Sequence, residues 1–165
     1  GWVGALAPGT LGGRKAHPPK ASKIWALKIN DKERKKAIRS ALAGASSLAK
    51  FIVVEDKFET LKNTKEVKTV LKLLGFSIES VKRKRAGVGK SRGRKTRYGL
   101  KALVVVSGKC ALVNAVSNIP GYDVVDVRSV NAALLTLGVE KPRSCIFTDK
   151  ALGILNKEGL FLNKK

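Results

Sequence analysis

The first regular pattern of apolar positions in this sequence begins just after Asn30. Glu33 follows Asn30 by three residues, and this spacing is typical of a capping box, which satisfies the free backbone amides at a helix start. The apolar residues that follow recur three or four positions apart and predict an amphipathic helix. They are Ala37, Ile38, Ala41, Leu42, Ala45 and Leu48. A second stripe of this kind, over residues 67–74, predicts a helix that ends near Gly75.

Four short apolar runs alternate with helical segments in the rest of the chain. A run without polar alternation is buried on both faces, so such strands belong to a parallel sheet that helices cover on both sides. We therefore predict a three-layer α/β fold, with a mostly parallel sheet of three to four strands and helices on both faces. The runs are FIVV (51–54), ALVVVS (102–107), DVVDV (123–127) and CIFT (145–148), and the helices are expected around 109–118, around 129–135 and from Asp149.

Composition adds a strong positive charge to this picture. The 165 residues include 34 Lys and Arg against 12 Asp and Glu, which gives a formal net charge of +22. Such an excess repels itself in a folded protein unless a polyanion neutralises it, so a nucleic acid is the expected partner. An anionic membrane surface is the weaker alternative. No apolar run approaches the roughly 20 residues of a membrane-spanning helix.

The charge is concentrated in two segments that show neither helical nor strand periodicity. Residues 82–101 contain ten basic residues and no acidic residue, interleaved with four glycines. Residues 1–28 contain five basic residues and no acidic residue, and they include adjacent glycines and adjacent prolines. We predict an extended basic arm over 1–28 and a single α/β domain over 29–165 that carries a basic loop insertion at 82–101.

The basic side chains of the insertion are candidate RNA-binding residues. A guanidinium presents a planar fork of donors that matches phosphate oxygens, and glycine lets the backbone approach a crowded surface. Extended arms on a small body favour a folded RNA, and no DNA-binding motif is recognisable. Trp2, Trp25 and Tyr98 can each either stack on an unpaired base or pack against the domain. The candidates are Arg83, Lys84, Arg85, Lys90, Arg92, Arg94, Lys95 and Arg97.

One segment of the insertion resembles part of a phosphate-binding loop. The sequence GVGKS at 87–91 ends as that loop does, but the glycine that the full motif requires at position 84 is a lysine. A dinucleotide-binding fingerprint is also incomplete, because position 92 is arginine where glycine is required. The alternative function that this segment leaves open is a nucleotide-binding or phosphoryl-transfer enzyme that uses Gly89, Lys90 and Ser91.

Residues suited to general catalysis or metal binding are scarce. His17 is the only histidine, and it lies in the first segment, which is rich in Pro and Gly, rather than on a rigid element. Cys110 and Cys145 are 35 residues apart with no C-x-x-C motif, which argues against a zinc site and a disulfide framework. We therefore predict that the protein is not an enzyme and has no catalytic residue, metal ion or cofactor.

Four blocks of the sequence occur in the same order in a known protein family. They are GGRKAHPPK (12–20), NDKERKKAIRSALA (30–43), RAGVGKSRGRKTRYG (85–99) and NIPGYDVVDVRSVN through PRSCIFTDKAL (118–152). On these blocks the chain resembles the universal large-subunit ribosomal protein number four in its archaeal and eukaryotic form. The resemblance implies an α/β domain seated on large-subunit rRNA, with a long loop that helps to line the nascent-peptide exit tunnel.

The resemblance also implies a role for the first segment. Residues 1–20 are similar to the limb of that loop that returns to the domain, so the chain is expected to lack the N-terminal part of the family, including the loop tip. Basic residues here and in 85–97, which resemble the arginine and glycine segment of the family, are expected to lie near rRNA. In the first segment they are Arg14, Lys15, His17, Lys20 and the nearby Lys23.

The function implied by the resemblance is structural. The protein is expected to be a constituent of the large ribosomal subunit in the cytoplasm, where it binds and orders large-subunit rRNA and supports assembly and translation. Its expected partners are large-subunit rRNA and neighbouring large-subunit proteins, with no DNA, no membrane and no homo-oligomer. A regulator that binds messenger RNA is a further alternative, because a protein fitted to one rRNA fold can bind a transcript that imitates it.

Overall fold

Two compact units make up the chain, with the boundary between Asn30 and Asp31. The computed structural model describes residues 3–79, 82–136 and 142–162. Within these residues the first unit consists of turns and extended chain, and the second contains all of the helices and strands. No helix in the described part of the chain is long and apolar enough to cross a bilayer.

The helices and strands of the second unit alternate along most of the sequence. The strands are β1 (Phe51–Val54), β2 (Lys82–Lys84), β3 (Thr96–Tyr98), β4 (Ala102–Val106), β5 (Asp123–Asp126) and β6 (Ser144–Thr148). The helices are α1 (Asp31–Leu48), α2 (Thr64–Leu73), α3 (Val88–Ser91), α4 (Leu112–Ser117), α5 (Ala132–Thr136) and α6 (Asp149–Lys157). Two short 3₁₀ helices, Asp56–Thr60 and Val127–Ser129, follow β1 and β5.

The central sheet consists of four parallel strands in the order β1, β6, β4, β5. The central strand β4 is buried along its whole length, and its successive side chains point to opposite faces. Ala102, Val104 and Val106 pack in one core with α2 and α4. Leu103 and Val105 pack in the other core with α1, α5 and α6. The predicted α/β fold, with a parallel sheet covered on both faces, is therefore confirmed.

The helix boundaries follow from local signals. α2 ends as predicted before Gly75, whose φ of 73° is accessible to glycine at little cost. The amides of Gly75 and Phe76 donate to the carbonyl oxygens of Lys72 and Leu71, both at 2.9 Å, which closes the helix in a Schellman motif. α6 begins at Asp149 as predicted, and the Thr148 hydroxyl caps it by accepting from the amide of Ala151.

Two sequence predictions of burial are wrong in detail. FIVV was expected to be a fully buried strand, but β1 lies at an edge of the described sheet and Val53 is 45% exposed. An edge strand has a neighbour on one side, so its side chains are less covered than those of β4. Leu48, assigned to the apolar stripe of α1, is exposed because it lies at the last residue of the helix.

The basic insertion differs from its prediction as a loop. Residues 82–84 and 96–98 pair as the antiparallel strands β2 and β3, and all six side chains are exposed. The described core covers neither face of this hairpin, so its strands need no alternation of apolar and polar residues. The two strands are held by backbone pairing, and their side chains do not show the pattern from which a strand is predicted.

Candidate nucleic-acid interface

The register of the hairpin places two arginines directly opposite each other. Arg83 pairs with Arg97, Lys82 pairs with Tyr98, and Lys84 pairs with Thr96. Residues opposite each other in an antiparallel pair share a face, with Cβ atoms about 4.5–5.5 Å apart. Like charges at this separation destabilise an isolated hairpin, so the arrangement favours an anion between the two guanidinium groups.

The end of the hairpin is compact and carries further cations. Its backbone is closed by two bonds, from the amide of Arg85 to the carbonyl oxygen of Lys95 at 2.9 Å and from the amide of Arg94 to that of Gly89 at 3.0 Å. The guanidinium of Arg85 also donates from Nε to the carbonyl oxygen of Thr96 at 3.2 Å. The single helical turn α3 lies in the segment between Arg85 and Lys95.

Residues 82–98 contain nine cations and no acidic residue. All of these cations are exposed. In the described residues, the ion pairs all lie elsewhere in the second unit. The structure therefore brings the predicted Arg83, Lys84, Arg85, Lys90, Arg92, Arg94, Lys95 and Arg97 into one exposed basic hairpin, residues 82–98.

A lysine at the base of the hairpin joins its two limbs. The ammonium of Lys101, on the limb that leaves the hairpin, donates to the carbonyl oxygen of Ser77 at 2.7 Å and to that of Glu79. The hydroxyl of Tyr122 donates to the same Ser77 oxygen at 2.9 Å. Burial lowers the pKa of Lys101, and the nearby Glu79 carboxylate opposes this shift.

A buried arginine holds the leaving limb against the sheet. The side chain of Arg143 is 1% exposed, and its guanidinium donates to the carbonyl oxygens of Lys101 (3.0 Å), Ala102 (2.9 Å) and Gly121 (2.9 Å). It also donates to the carboxylate of Asp123 at 2.6 Å. Four acceptors around one planar cation fix the start of β4 relative to the start of β5.

The loop before β5 approaches the same limb closely. The amide of Lys101 donates to the carbonyl oxygen of Gly121 at 2.7 Å. Gly121 has a φ of 91°, and a Cβ atom at this position would lie 2.5 Å from the carbonyl oxygen of Gly99. Only glycine fits both the backbone angle and the available space, so the close approach of the two chain segments depends on glycine at position 121.

The first unit folds back on itself over residues 3–14. The amide of Arg14 donates to the carbonyl oxygen of Gly4 at 2.8 Å, and its Nε donates to that of Leu6 at 3.3 Å. Of the candidates here, Arg14 is thus partly engaged within its own segment, and Lys15 is exposed. The prediction that Trp2 stacks or packs lies outside the described residues.

Three of the remaining candidates line one open concavity. His17, Lys20 and Lys23 surround a space of about 610 Å³ together with Trp25. The ammonium of Lys23 lies 4.4 Å from the centre of the Trp25 ring, within the range of a cation–π contact. The indole is nevertheless 70% exposed.

A buried carboxylate lies at the position that ligands occupy in many open α/β sheets. β5 and β6 lie on opposite sides of β4, so the carboxyl ends of β4 and β6 form the switch point. The buried Glu59 accepts there from the amide of Ser107 at 2.9 Å, from its hydroxyl at 2.7 Å and from the Thr148 hydroxyl at 2.6 Å. Burial alone would raise the pKa of Glu59, but these hydrogen bonds outweigh it and the pKa is lowered.

The phosphate-binding-loop alternative finds no support in this geometry. That motif needs a buried strand that leads into a long helix, whereas Gly89, Lys90 and Ser91 lie in the four-residue α3 of the exposed hairpin. The Ser91 hydroxyl donates to the carbonyl oxygen of Val88 at 3.0 Å. No group of three or more His, Cys, Asp or Glu side chains in the described residues is arranged to hold a metal ion.

Sequence reasoning missed the two residues that position the hairpin. Lys101 lies inside the predicted insertion but was not among the candidates, and Arg143 was not singled out at all. A lysine that binds carbonyl oxygens cannot be distinguished by sequence from one that is free for phosphate. The only signal for Arg143 is a cation directly before the buried run of β6, and such a residue is usually exposed.

These features define a basic α/β protein whose exposed hairpin presents cations that form no ion pair within the described residues, the arrangement of a nucleic-acid-binding protein. The description "Ribosomal protein L4/L1 family" applies to the family that matches residues 3–158, and the chain belongs to this family. The resemblance drawn from the four sequence blocks is thereby confirmed. The family is one of ribosomal proteins, so the chain is a structural ribosomal protein and not an enzyme.

Archaeal relatives agree with this assignment. The chain is similar to the large ribosomal subunit protein uL4 of Methanococcus aeolicus, at 37% identity over 94% of this chain and 69% of the relative. It is also similar to the protein of the same name from Methanocaldococcus jannaschii, at 39% identity over 92% of this chain and 67% of the relative. For that of Nanoarchaeum equitans the identity is 39% over 97% of this chain and 66% of the relative. The chain thus spans about two thirds of the length of these relatives.

Proposed function

We propose that this chain is a structural constituent of the large ribosomal subunit and binds large-subunit rRNA through the basic hairpin and the first unit. The proposal places it in the cytoplasm, on the ribosome, where it orders rRNA during assembly and supports translation. The observation that carries the proposal is the pairing of Arg83 with Arg97 on a hairpin whose cations have no ion pair in the described residues. Closely spaced phosphates of a folded RNA supply the missing negative charge.

The hairpin and the rest of the α/β domain, here called the body, have different roles in RNA binding. The body holds the base of the hairpin through Lys101 and Arg143, so less conformational entropy is lost when RNA binds. The cations of the hairpin then bind phosphates from both of its faces, because neither face is covered by the described core. RNA segments that approach the two faces are held at a fixed separation, which is the ordering function of a structural ribosomal protein.

The salt dependence of RNA binding tests the role of the hairpin. The variant Arg92→Gln, Arg94→Gln, Arg97→Gln should bind a large-subunit rRNA fragment more weakly. Its log–log salt slope should be smaller by about 2–3, since each phosphate contact contributes roughly 0.7–0.9. Filter binding across a series of KCl concentrations measures both quantities.

A matched control removes the same charge from the body. The variant Lys62→Gln, Lys65→Gln, Lys72→Gln neutralises three exposed lysines at and near α2. It should change the salt slope by less than one contact, roughly 0.9. An equal loss in both variants would mean that RNA is attracted by net charge alone, and the role proposed for the hairpin would be wrong.

The remaining partners follow from the same proposal. Neighbouring large-subunit proteins are expected contacts, whereas DNA, membranes and self-association are not. Sedimentation of the intact chain with large ribosomal subunits after a high-salt wash tests the assembly. Recovery of the chain in the free fraction would contradict a stable place in the subunit.

A further inference from the structure

The concavity of the first unit combines an exposed aromatic ring with cations. It is lined by Ala16, His17, Pro18, Pro19, Lys20, Ser22, Lys23 and Trp25, and its volume is about 610 Å³. Proline fixes the backbone φ, so the wall at 18–19 loses little conformational freedom when a ligand binds. The concavity is therefore better organised than a flexible basic tail.

Trp25 is the feature of this concavity that packing in the described structure does not explain. Its indole is 70% exposed, although tryptophan is among the largest apolar side chains and is highly buried on average. The Lys23 ammonium lies 4.4 Å from the ring centre and brings positive charge to the ring. Residues 1–30 contain no acidic residue that would neutralise this charge.

An unpaired nucleotide combines the two chemical properties that this site matches. Its base is a flat π system that stacks on an indole, and its phosphates are anions that bind lysine. An apolar peptide leaves the cations without partners, and an acidic peptide leaves the ring uncovered. The combination of ring and cations thus favours single-stranded RNA over either kind of peptide.

We propose that this concavity binds one unstacked nucleobase of RNA against Trp25, with the adjacent phosphates bound by Lys20 and Lys23. The site rests on the proposed rRNA-binding function and adds to it a place where a base, rather than the phosphate backbone alone, is bound. Stacking accepts any base, so the site selects an unpaired nucleotide by its accessibility and not by its identity.

Tryptophan fluorescence provides a direct test. In the full chain carrying Trp2→Phe, the remaining tryptophan fluorescence comes from Trp25. Octauridylate, whose bases are largely unstacked, should quench this emission in a saturable way. A matched octamer of abasic ribose phosphates carries the same charge without bases and should bind more weakly and quench little. Equal quenching by the two probes would overturn the proposal.

Two variants separate stacking from charge. Trp25→Leu should lower the affinity for octauridylate roughly 5- to 150-fold, with an unchanged salt slope, because it removes stacking but no phosphate contact. Lys23→Met should lower the salt slope of octauridylate binding by about 0.7, because it removes one phosphate contact. These affinities are measured by competition with a labelled octauridylate, and far-UV circular dichroism checks that the helices and strands of the second unit are intact in each variant. An unchanged affinity in Trp25→Leu would contradict base binding.

The inference and the proposed function fail in different ways. If the hairpin variant Arg92→Gln, Arg94→Gln, Arg97→Gln loses rRNA affinity while Trp25→Leu has no effect on octauridylate, only the nucleobase site is wrong. If an octamer of glutamate quenches Trp25 as strongly as octauridylate does, the concavity binds polyanions without regard to bases and the proposal is overturned. The abasic comparison on the protein with Trp25 in place holds even if a variant fails to fold.

Discussion

The ammonium of Lys101 donates to the carbonyl oxygen of Ser77 at 2.7 Å and thereby joins the two limbs of the basic hairpin at its base. These residues lie before and after the hairpin in the sequence. Because Lys101 also donates to the carbonyl oxygen of Glu79, one side chain holds two carbonyl groups of the entering limb. This cation is therefore engaged with protein, whereas those of the hairpin are exposed to solvent.

Replacing Lys101 with methionine should loosen the hairpin without removing a phosphate contact. We expect a roughly three- to ten-fold loss of affinity for an rRNA fragment, because binding must then restrict the freed base of the hairpin. The salt slope should stay unchanged. In the free protein, ¹⁵N relaxation should report lower order parameters for residues 82–98.

The control for this prediction is Lys95→Met, which changes an exposed cation of the hairpin itself. Its salt slope should fall by about 0.7–0.9, and its order parameters should not change. If the salt slope of RNA binding were lower for Lys101→Met than for the unaltered protein, this ammonium would bind RNA rather than the Ser77 carbonyl oxygen.

The buried guanidinium of Arg143 should contribute strongly to stability. Arg143→Met removes the donor for the carbonyl oxygens of Lys101, Ala102 and Gly121. Lys101 directly precedes the buried strand β4, and Ala102 is the first residue of that strand. Losing these buried hydrogen bonds from a charged donor should cost about 3 kcal/mol of unfolding free energy. Urea denaturation monitored by circular dichroism measures the loss.

The matched control is Arg128→Met. Arg128 donates from Nε to the carboxylate of Glu158 at 3.1 Å, but its side chain is 50% exposed. Solvent screens an exposed pair, so this change should cost much less unfolding free energy than Arg143→Met does. Similar losses in the two variants would contradict a special role for the buried guanidinium.

Acid should weaken the fold through Glu59. Its pKa is lowered, because the hydrogen bonds from Thr148 and Ser107 to the carboxylate outweigh the opposing effect of burial. A group whose pKa is lower in the folded state stabilises the fold above its ordinary pKa. That contribution is fully present at neutral pH and is lost as the pH falls from about 4.5 through the lowered value.

The variant Glu59→Gln isolates this contribution. At pH 7 it should be less stable by about 1–3 kcal/mol, since it exchanges charge-assisted hydrogen bonds for weaker ones. Its urea midpoint should depend less on pH below 5 than that of the unaltered protein. Glu55→Gln, at an exposed carboxylate, should leave the pH dependence as it is. Parallel curves for the unaltered protein and Glu59→Gln would exclude this carboxylate as the cause.

The layered fold could be predicted from sequence because its signals are local. Uninterrupted runs such as ALVVVS read as buried strands, and the threonine and aspartate at 148–149 mark a helix start, as the cap of α6 confirms. The hairpin could not be predicted in the same way. Its strands bury nothing, so no apolar alternation marks β2 or β3, and only the backbone pairing of the folded chain reveals them.

The candidate site was predictable in composition but not in arrangement. Charge density identified the cations of 82–98, since no acidic residue interrupts them. The opposition of Arg83 and Arg97 depends on strand register, which the sequence pattern does not specify when both faces are exposed. Arg143 is separated from Lys101 by about forty residues, so their contact depends on the order of the strands in the sheet.

The close contact between Gly121 and the carbonyl oxygen of Gly99 predicts opposite effects for two glycine-to-alanine changes. Gly121→Ala should lower the unfolding free energy by about 2 kcal/mol or more. A Cβ atom at Gly121 would lie 2.5 Å from that backbone oxygen, and the φ of 91° is strained for any residue with a side chain. Gly44 lies inside α1, and a Cβ atom at Gly44 meets nothing within 4 Å. Gly44→Ala should therefore raise stability by about 0.5–1 kcal/mol, as expected for alanine in a helix interior.

Thermal and urea denaturation of both variants measure this difference. Gly121→Ala should also reduce rRNA affinity, because the displaced Gly99 lies next to the end of β3 and the movement is transmitted to the hairpin. Gly44→Ala should leave RNA binding unchanged. If Gly121→Ala were as stable as the unaltered protein, the loop before β5 would not be held against the base of the hairpin, and the proposed rigid attachment of the hairpin would be lost with it.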